Sequence, residues 1–149
     1  TCQPSRVCSN TCYALFGPIT WSNSLNKQKI NEHLCRESSD DFADKIIREC
    51  TKHIKRDPGF FLRWNGTGDL FPESIQSLDR IAEKLPALPI WTVTRIPQYA
   101  HNLLSKDRSN IFVHFSLDNK SMTRRTKLLS MFGGGKPENL FFSYQKVYR

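Results

Sequence analysis

The spacing of apolar positions changes several times between residues 23 and 144, and each change marks an element. Asn23 to Cys35 is a polar segment with Leu25, Ile30 and Leu34 loosely on one face, and it predicts a helix. A clearer helix is predicted over Ser39–Lys55. There Phe42, Ala43, Ile46, Ile47, Cys50 and Ile54 recur at steps of three and four, and Ser39 to Asp41 offer an N-cap. Asp57-Pro58-Gly59 breaks it. The run Phe60 to Trp64 then reads as a strand, and Asn65-Gly66-Thr67-Gly68-Asp69 as a turn. Pro72 opens the next helix, in which Ile75, Leu78, Ile81, Ala82 and Leu85 form one stripe. Pro89–Thr94 is strand-like, Pro97–Leu104 a short helix, and Ile111–Leu117 a third strand. Lys120–Phe132 is a basic helix ending at Gly133-Gly134-Gly135, and Leu140–Tyr144 is a fourth strand.

Short apolar strands linked by helices require parallel pairing with right-handed crossovers. The expected class is therefore α/β, alternating strand and helix within a single domain over residues 1–149. Its parallel sheet is either doubly wound or part of a β/α barrel. Both place functional groups at the C-terminal ends of the strands. Those ends carry Arg63 to Asp69, Thr92 to Arg95, His114 to Asp118, and Ser143 to Gln145. A carboxylate, an arginine, hydroxyls and a second carboxylate would gather on one rim. Each also has a plainer role. Asp69 and Asp118 suit the caps of the helices that follow them. His114, alternating with apolar neighbours, is expected to be a buried, hydrogen-bonded core residue. Gly66 and Gly68 supply positive φ in the turn or allow a ligand close to the backbone. Gly133-Gly134-Gly135-Lys136 lacks phosphate-loop spacing and follows a helix, so it is expected to be a C-cap.

Charge widens the choice of partners. The 149 residues hold 22 Lys+Arg against 14 Asp+Glu, a formal charge of +8. That excess suits a polyanion such as nucleic acid, with Lys120, Arg124, Arg125 and Lys127 near one face of the last helix. No apolar stretch reaches the roughly 20 residues of a membrane span, so no membrane partner is expected. The start shows no secretory signal pattern and no Met, and the chain is expected to be truncated at both ends. Five cysteines are an odd number for a closed disulfide framework, which favours a reducing, cytoplasmic setting. The triplets Asn65-Gly66-Thr67 and Asn119-Lys120-Ser121 would permit glycosylation in the opposing case of a secreted protein.

The candidate chemistry lies in the first twelve residues, where Cys2, Cys8 and Cys12 crowd together. Three thiolates on a 4Fe–4S cluster leave one iron open to a small ligand. Zinc commonly takes four ligands from pairs two to four residues apart, and Cys35 or His33 could complete such a site. A disulfide within the loop is the third alternative. Cys35 and Cys50 lie on helical patterns and are expected to be packing residues.

Three motifs in order carry a resemblance. They are Cys8-x-x-x-Cys12-Tyr13-Ala14, then Phe61 to Phe71 with Arg63-Trp64-Asn65-Gly66-Thr67-Gly68-Asp69, then Ile90-Trp91-Thr92-Val93-Thr94-Arg95. Together they resemble a phage protein family called gene product eighty-eight, over Cys2 to about Asp118. The layout is also similar to the radical S-adenosylmethionine superfamily, which implies a partial β/α barrel. There a three-cysteine loop, a Gly-Gly-Glu-like motif and a Ser-Leu-Asp-like segment hold cluster and cofactor. The counterparts here would be Cys2/Cys8/Cys12, Gly66 to Asp69, and Ser116-Leu117-Asp118. The resemblance implies Cys2, Cys8 and Cys12 as cluster ligands. It implies Gly66, Gly68 and Asp69 near the amine of S-adenosylmethionine, and Arg95, Ser116 and Asp118 near its carboxylate or ribose. The cysteine spacing is five then three where the superfamily has three then two, Asp69 replaces a glutamate, and the first barrel strand would precede Thr1. The expected function is an iron–sulfur protein binding S-adenosylmethionine for radical chemistry on an unknown substrate. The alternatives are a non-enzymatic nucleic-acid-binding phage protein with structural zinc, and a secreted disulfide-bonded α/β protein.

Overall fold

A computed structural model describes residues 17–65, 68–118 and 122–144 of the chain. A 3-10 turn, Gly17–Thr20, leads into α1 (Ser22–Glu37) and α2 (Ser39–Ile54). There follow β1 (Leu62–Arg63), α3 (Pro72–Lys84), β2 (Ile90–Thr94), α4 (Pro97–Leu104), β3 (Ile111–Leu117), α5 (Met122–Met131) and β4 (Leu140–Tyr144). The strand order is β1-β2-β3-β4, and every pair is parallel.

That order fixes how the described part of the sheet is wound. Each connection steps one strand in the same direction, so right-handed crossovers put α3, α4 and α5 on one face. They do lie side by side, α3 against α4 and α4 against α5, with α4 touching β2 and β3. A doubly wound sheet would reverse its strand order at a switch point, and no reversal occurs among these strands. The described strands are singly wound, as in a segment of a β/α barrel or in one half of a doubly wound sheet.

Burial follows from it. Ile90, Thr92 and Thr94 of β2, with Ile111, Val113, Phe115 and Leu117 of β3, are buried beneath the helices. The intervening residues Trp91, Val93, Phe112, His114 and Ser116 point to the other face and stay half-exposed. The helical stripe is apolar as expected, Leu78 and Ile81 being fully buried. Each such side chain contributes about 1.5–3 kcal/mol relative to exposure.

Two elements differ from expectation. The strand read over 60–64 contracts to Leu62–Arg63, because Asn65 takes a left-handed conformation (φ 46°) and turns the chain out of the sheet. In α1 the apolar face is not what packs: Leu25 and Ile30 are exposed, while Cys35 is buried. The glycine run behaves as a helix stop. Gly133 and Gly134 have φ of 65° and 88°, and the Gly134 N–H donates to the Leu129 carbonyl at 2.9 Å.

Candidate functional site: the C-terminal rim of the sheet

At the end of β1 the Asn65 side chain stands in for a strand residue. Its Oδ1 accepts from the Thr92 hydroxyl at 2.7 Å, and its Nδ2 donates to the Val93 carbonyl at 2.9 Å. An amide can satisfy both a donor and an acceptor on β2, which no apolar residue could do there. Gly68 follows at φ 79°, a conformation that costs a glycine little. These two residues bend the loop back over the sheet edge and deliver Asp69.

Asp69 is buried, and both of its oxygens are engaged. Oδ1 accepts from the Leu70 N–H and the Thr94 hydroxyl; Oδ2 accepts from the Arg95 N–H at 3.1 Å. Burial pushes its pKa up, against the lowering by the hydrogen bonds from Thr94, Arg95 and Leu70. Asp69 does not cap the helix after it. At the start of α3 the Ser74 hydroxyl accepts from the Phe71 N–H at 2.9 Å and donates to the Phe71 carbonyl. One step further along the rim, the Arg95 guanidinium pairs with Asp118 at 3.0 Å, their side chains 6% and 0% exposed. Thus Asp69, Thr94, Arg95 and Asp118 tie the ends of β1, β2 and β3 into one polar seam.

Beside this seam, between α1, α2 and β1, lies a cavity of about 580 Å³. Its walls include Ile19, Gln28, Cys35, Trp64, Asn65, Gly68 and Asp69. The structure thus divides the expected ligand set. Gly68 and Asp69 border the cavity. Arg95 and Asp118 do not, being committed to each other. Ser116 stands on the open face of the sheet in register with Ser143. Gly66 lies outside the described residues.

His114 is not a core histidine. It sits on the same open face as Ser116, half-buried, with Nδ1 3.2 Å from the Ser143 hydroxyl. Its ring stacks on Phe141 at 5.2 Å and meets Trp91 edge-on at 5.0 Å. Partial burial pushes its pKa down.

Cys2, Cys8 and Cys12 also lie outside the described residues. The zinc completion through Cys35 or His33 has its cysteine partners outside the described residues. His33 is exposed and pairs with Glu37 at 3.2 Å, while the Cys35 thiol is buried 3.4 Å from the Ser77 hydroxyl. Two residues apart on a helix, they face different ways. Cys50 lies in the core, and both thiols are free, with pKa values raised by burial. They are packing residues, as expected. Among the described residues no group of three or more His, Cys, Asp or Glu could hold a metal.

On α5, Arg125 lies over the Phe142 ring at 5.1 Å, whereas Lys127 is exposed. Lys120 lies outside the described residues. No described helix is long and apolar enough to cross a membrane.

The role of Asn65 goes beyond the turn that its sequence context predicts. The available signal was an asparagine immediately after a strand, a type enriched in left-handed conformations. A family model described as Gene product 88 matches residues 1–140, covering the cysteine segment, the rim and all the helices. No curated protein and no solved structure matches the chain.

Proposed function

The chain belongs to the Gene product 88 family, and from that premise we propose an iron–sulfur protein of radical type. Cys2, Cys8 and Cys12 hold a 4Fe–4S cluster, and the cavity beside Gly68 and Asp69 takes S-adenosylmethionine. One observation carries this reading. Ile19, seven residues after Cys12, lines the same cavity as Gly68 and Asp69. Seven residues span at most about 25 Å, a tether that lets Cys12 reach that cavity.

The residues present suit the groups. Three thiolates are an adequate donor set for a cubane cluster with one open iron. A cavity of about 580 Å³ falls within the usual range for cofactor sites, and it mixes apolar walls with a few polar groups. When bound, the cluster and cofactor supply one-electron chemistry at a sulfonium. The chain does the holding and orienting. Gly68, with no side chain, lets a ligand approach the backbone. Asp69 acts through its loop, since both of its oxygens already accept hydrogen bonds. Arg95 and Asp118 position the rim. Thiolate ligation also requires a compartment that keeps cysteines reduced, which fits the cytoplasm of an infected or prophage-bearing host.

The test is anaerobic purification with iron, sulfide and zinc analysis, alongside a variant with Cys2, Cys8 and Cys12 all changed to Ala. The expected result is near-stoichiometric iron and sulfide, lost in the triple variant, and reductive cleavage of S-adenosylmethionine by the reduced protein. Zinc without iron, or iron unchanged in the variant, overturns the cluster. Iron without cleavage keeps the cluster and overturns the radical reaction.

A further inference from the structure

The helices cover one face of the sheet and leave the other without a layer among the described residues. Parallel sheets are normally covered on both faces, so this surface calls for an occupant. Its strand register brings Trp91, Phe112, His114 and Phe141 together on neighbouring strands. Their rings form one cluster: Trp91 to His114 at 5.0 Å, His114 to Phe141 at 5.2 Å, and Phe112 to Phe141 at 6.4 Å. Phe141 is 41% exposed, high for a large aromatic on a sheet.

A cation flanks the cluster on each side. On β1 the Arg63 guanidinium lies over the Trp91 ring at 4.7 Å, and before β4 the Lys136 ammonium, donating to the Pro137 and Leu140 carbonyls, stands 5.6 Å from the Phe141 ring. Arg36, Arg80, Arg95 and Arg108 each pair with a carboxylate; Arg63 pairs with none among the described residues. No strand position sharing this face is a carboxylate. The Trp91 indole N–H is buried and meets no acceptor among the described residues.

We propose that this face is a stacking platform for single-stranded nucleic acid. On this four-stranded sheet the exposed Phe141 ring and its half-exposed neighbours offer surface to unstacked bases, while cations at both edges offer charge to the phosphates. Four strands span about 14 Å, room for two or three bases. A duplex keeps its base faces hidden, so it could use only the two cations. The net charge of +8 has the sign that such a partner needs. Binding here requires neither iron nor S-adenosylmethionine, and its failure would leave the cluster reading untouched.

The test measures fluorescence anisotropy of labelled oligo-dT and oligo-U with the full chain, as purified and as the triple cysteine variant. Binding is expected in both forms, stronger for single strands than for a hairpin duplex, and weakening steeply with salt. Phe141→Ala should weaken it at least about five-fold, since a stacked base is worth about 1–3 kcal/mol. Arg63→Gln should flatten the logarithmic salt slope by about 0.7. Both positions are exposed, so both variants should melt with the parent protein; Trp91→Ala is the stronger but riskier change. Three results would overturn the proposal: no binding at low salt, affinity unchanged in Phe141→Ala, or loss of binding only in Arg124→Ala/Arg125→Ala. Dimerisation abolished by Phe141→Ala, with no oligonucleotide binding, would likewise overturn it and assign the face to a second copy of the chain.

Discussion

Removing Asp118 should unfold the rim from within. Its carboxylate is completely buried and pairs at 3.0 Å with an Arg95 side chain that is itself only 6% exposed. Asp118→Leu therefore takes a carboxylate partner from a guanidinium that water scarcely reaches, and losing one partner of a buried pair costs about 3–5 kcal/mol. Against a total stability of about 5–15 kcal/mol, that is a large share. For a chain of this length it corresponds to a fall of roughly 6–20 °C in melting temperature. Arg95→Met takes the guanidinium from the buried carboxylate instead and should cost a similar amount. The double variant, apolar on both sides, should be far less damaged than the sum of the two, because neither charge remains to be desolvated. Urea denaturation of the four proteins, followed by circular dichroism, closes the cycle and should give a coupling energy above about 2 kcal/mol. A cost below about 1 kcal/mol for either single variant would refute the reasoning. It would mean that the pair is solvated and that the two residues are open to a ligand.

Two further outcomes follow from named contacts. The pKa of His114 is lowered by burial, so between that value and its ordinary 6.5 the unfolded chain binds more protons than the folded one. Stability should therefore fall as pH drops through that window, and the loss should be complete below the lowered value. Urea midpoints between about pH 7.5 and about pH 5 should fall less in His114→Phe than in the parent, and equal falls would count against this assignment. The second outcome concerns Asn110, whose buried Nδ2 donates to the carbonyls of Ala82, Leu85 and Leu88 at 3.0–3.2 Å, holding the end of α3. Asn110→Ala should cost about 1–3 kcal/mol in a urea melt, and a change under about 0.5 kcal/mol would show that water replaces the amide.

Much of the fold was legible because periodicity reports on burial. The stripe of Ile75, Leu78, Ile81 and Ala82 reads as a helix, and those side chains are buried on α3. Gly133 and Gly134 read as a helix stop and adopt the left-handed conformation that stop requires. His114 shows where that signal fails. In a strand covered on one side, alternation says that a residue belongs to a face, but not which face the helices cover. Its apolar chain neighbours Val113 and Phe115 are in the core, yet His114 between them turns to the open side with Phe112 and Phe141. Leu25 and Ile30 fail in a different way. Their loose spacing on a polar helix carries little moment, and contacts at the Cys35 end decide how α1 sits.

At the rim, strand ends alone bring Gly68, Asp69, Arg95, Ser116 and Asp118 to one edge of a parallel sheet, and that much is written in the order of residues. What those groups do there follows from packing. Arg95 meets Asp69 and Asp118 across 26 and 23 residues of chain. Such pairings depend on strand order and on how the loops dock, neither of which leaves a local pattern. Winding all the crossovers onto one face buries Asp69, Arg95 and Asp118 in a shared seam, and leaves Ser116 facing outward beside the aromatic rings. Local spacing encodes which side chains must leave water. Which partner a buried charge then finds is set when the elements pack.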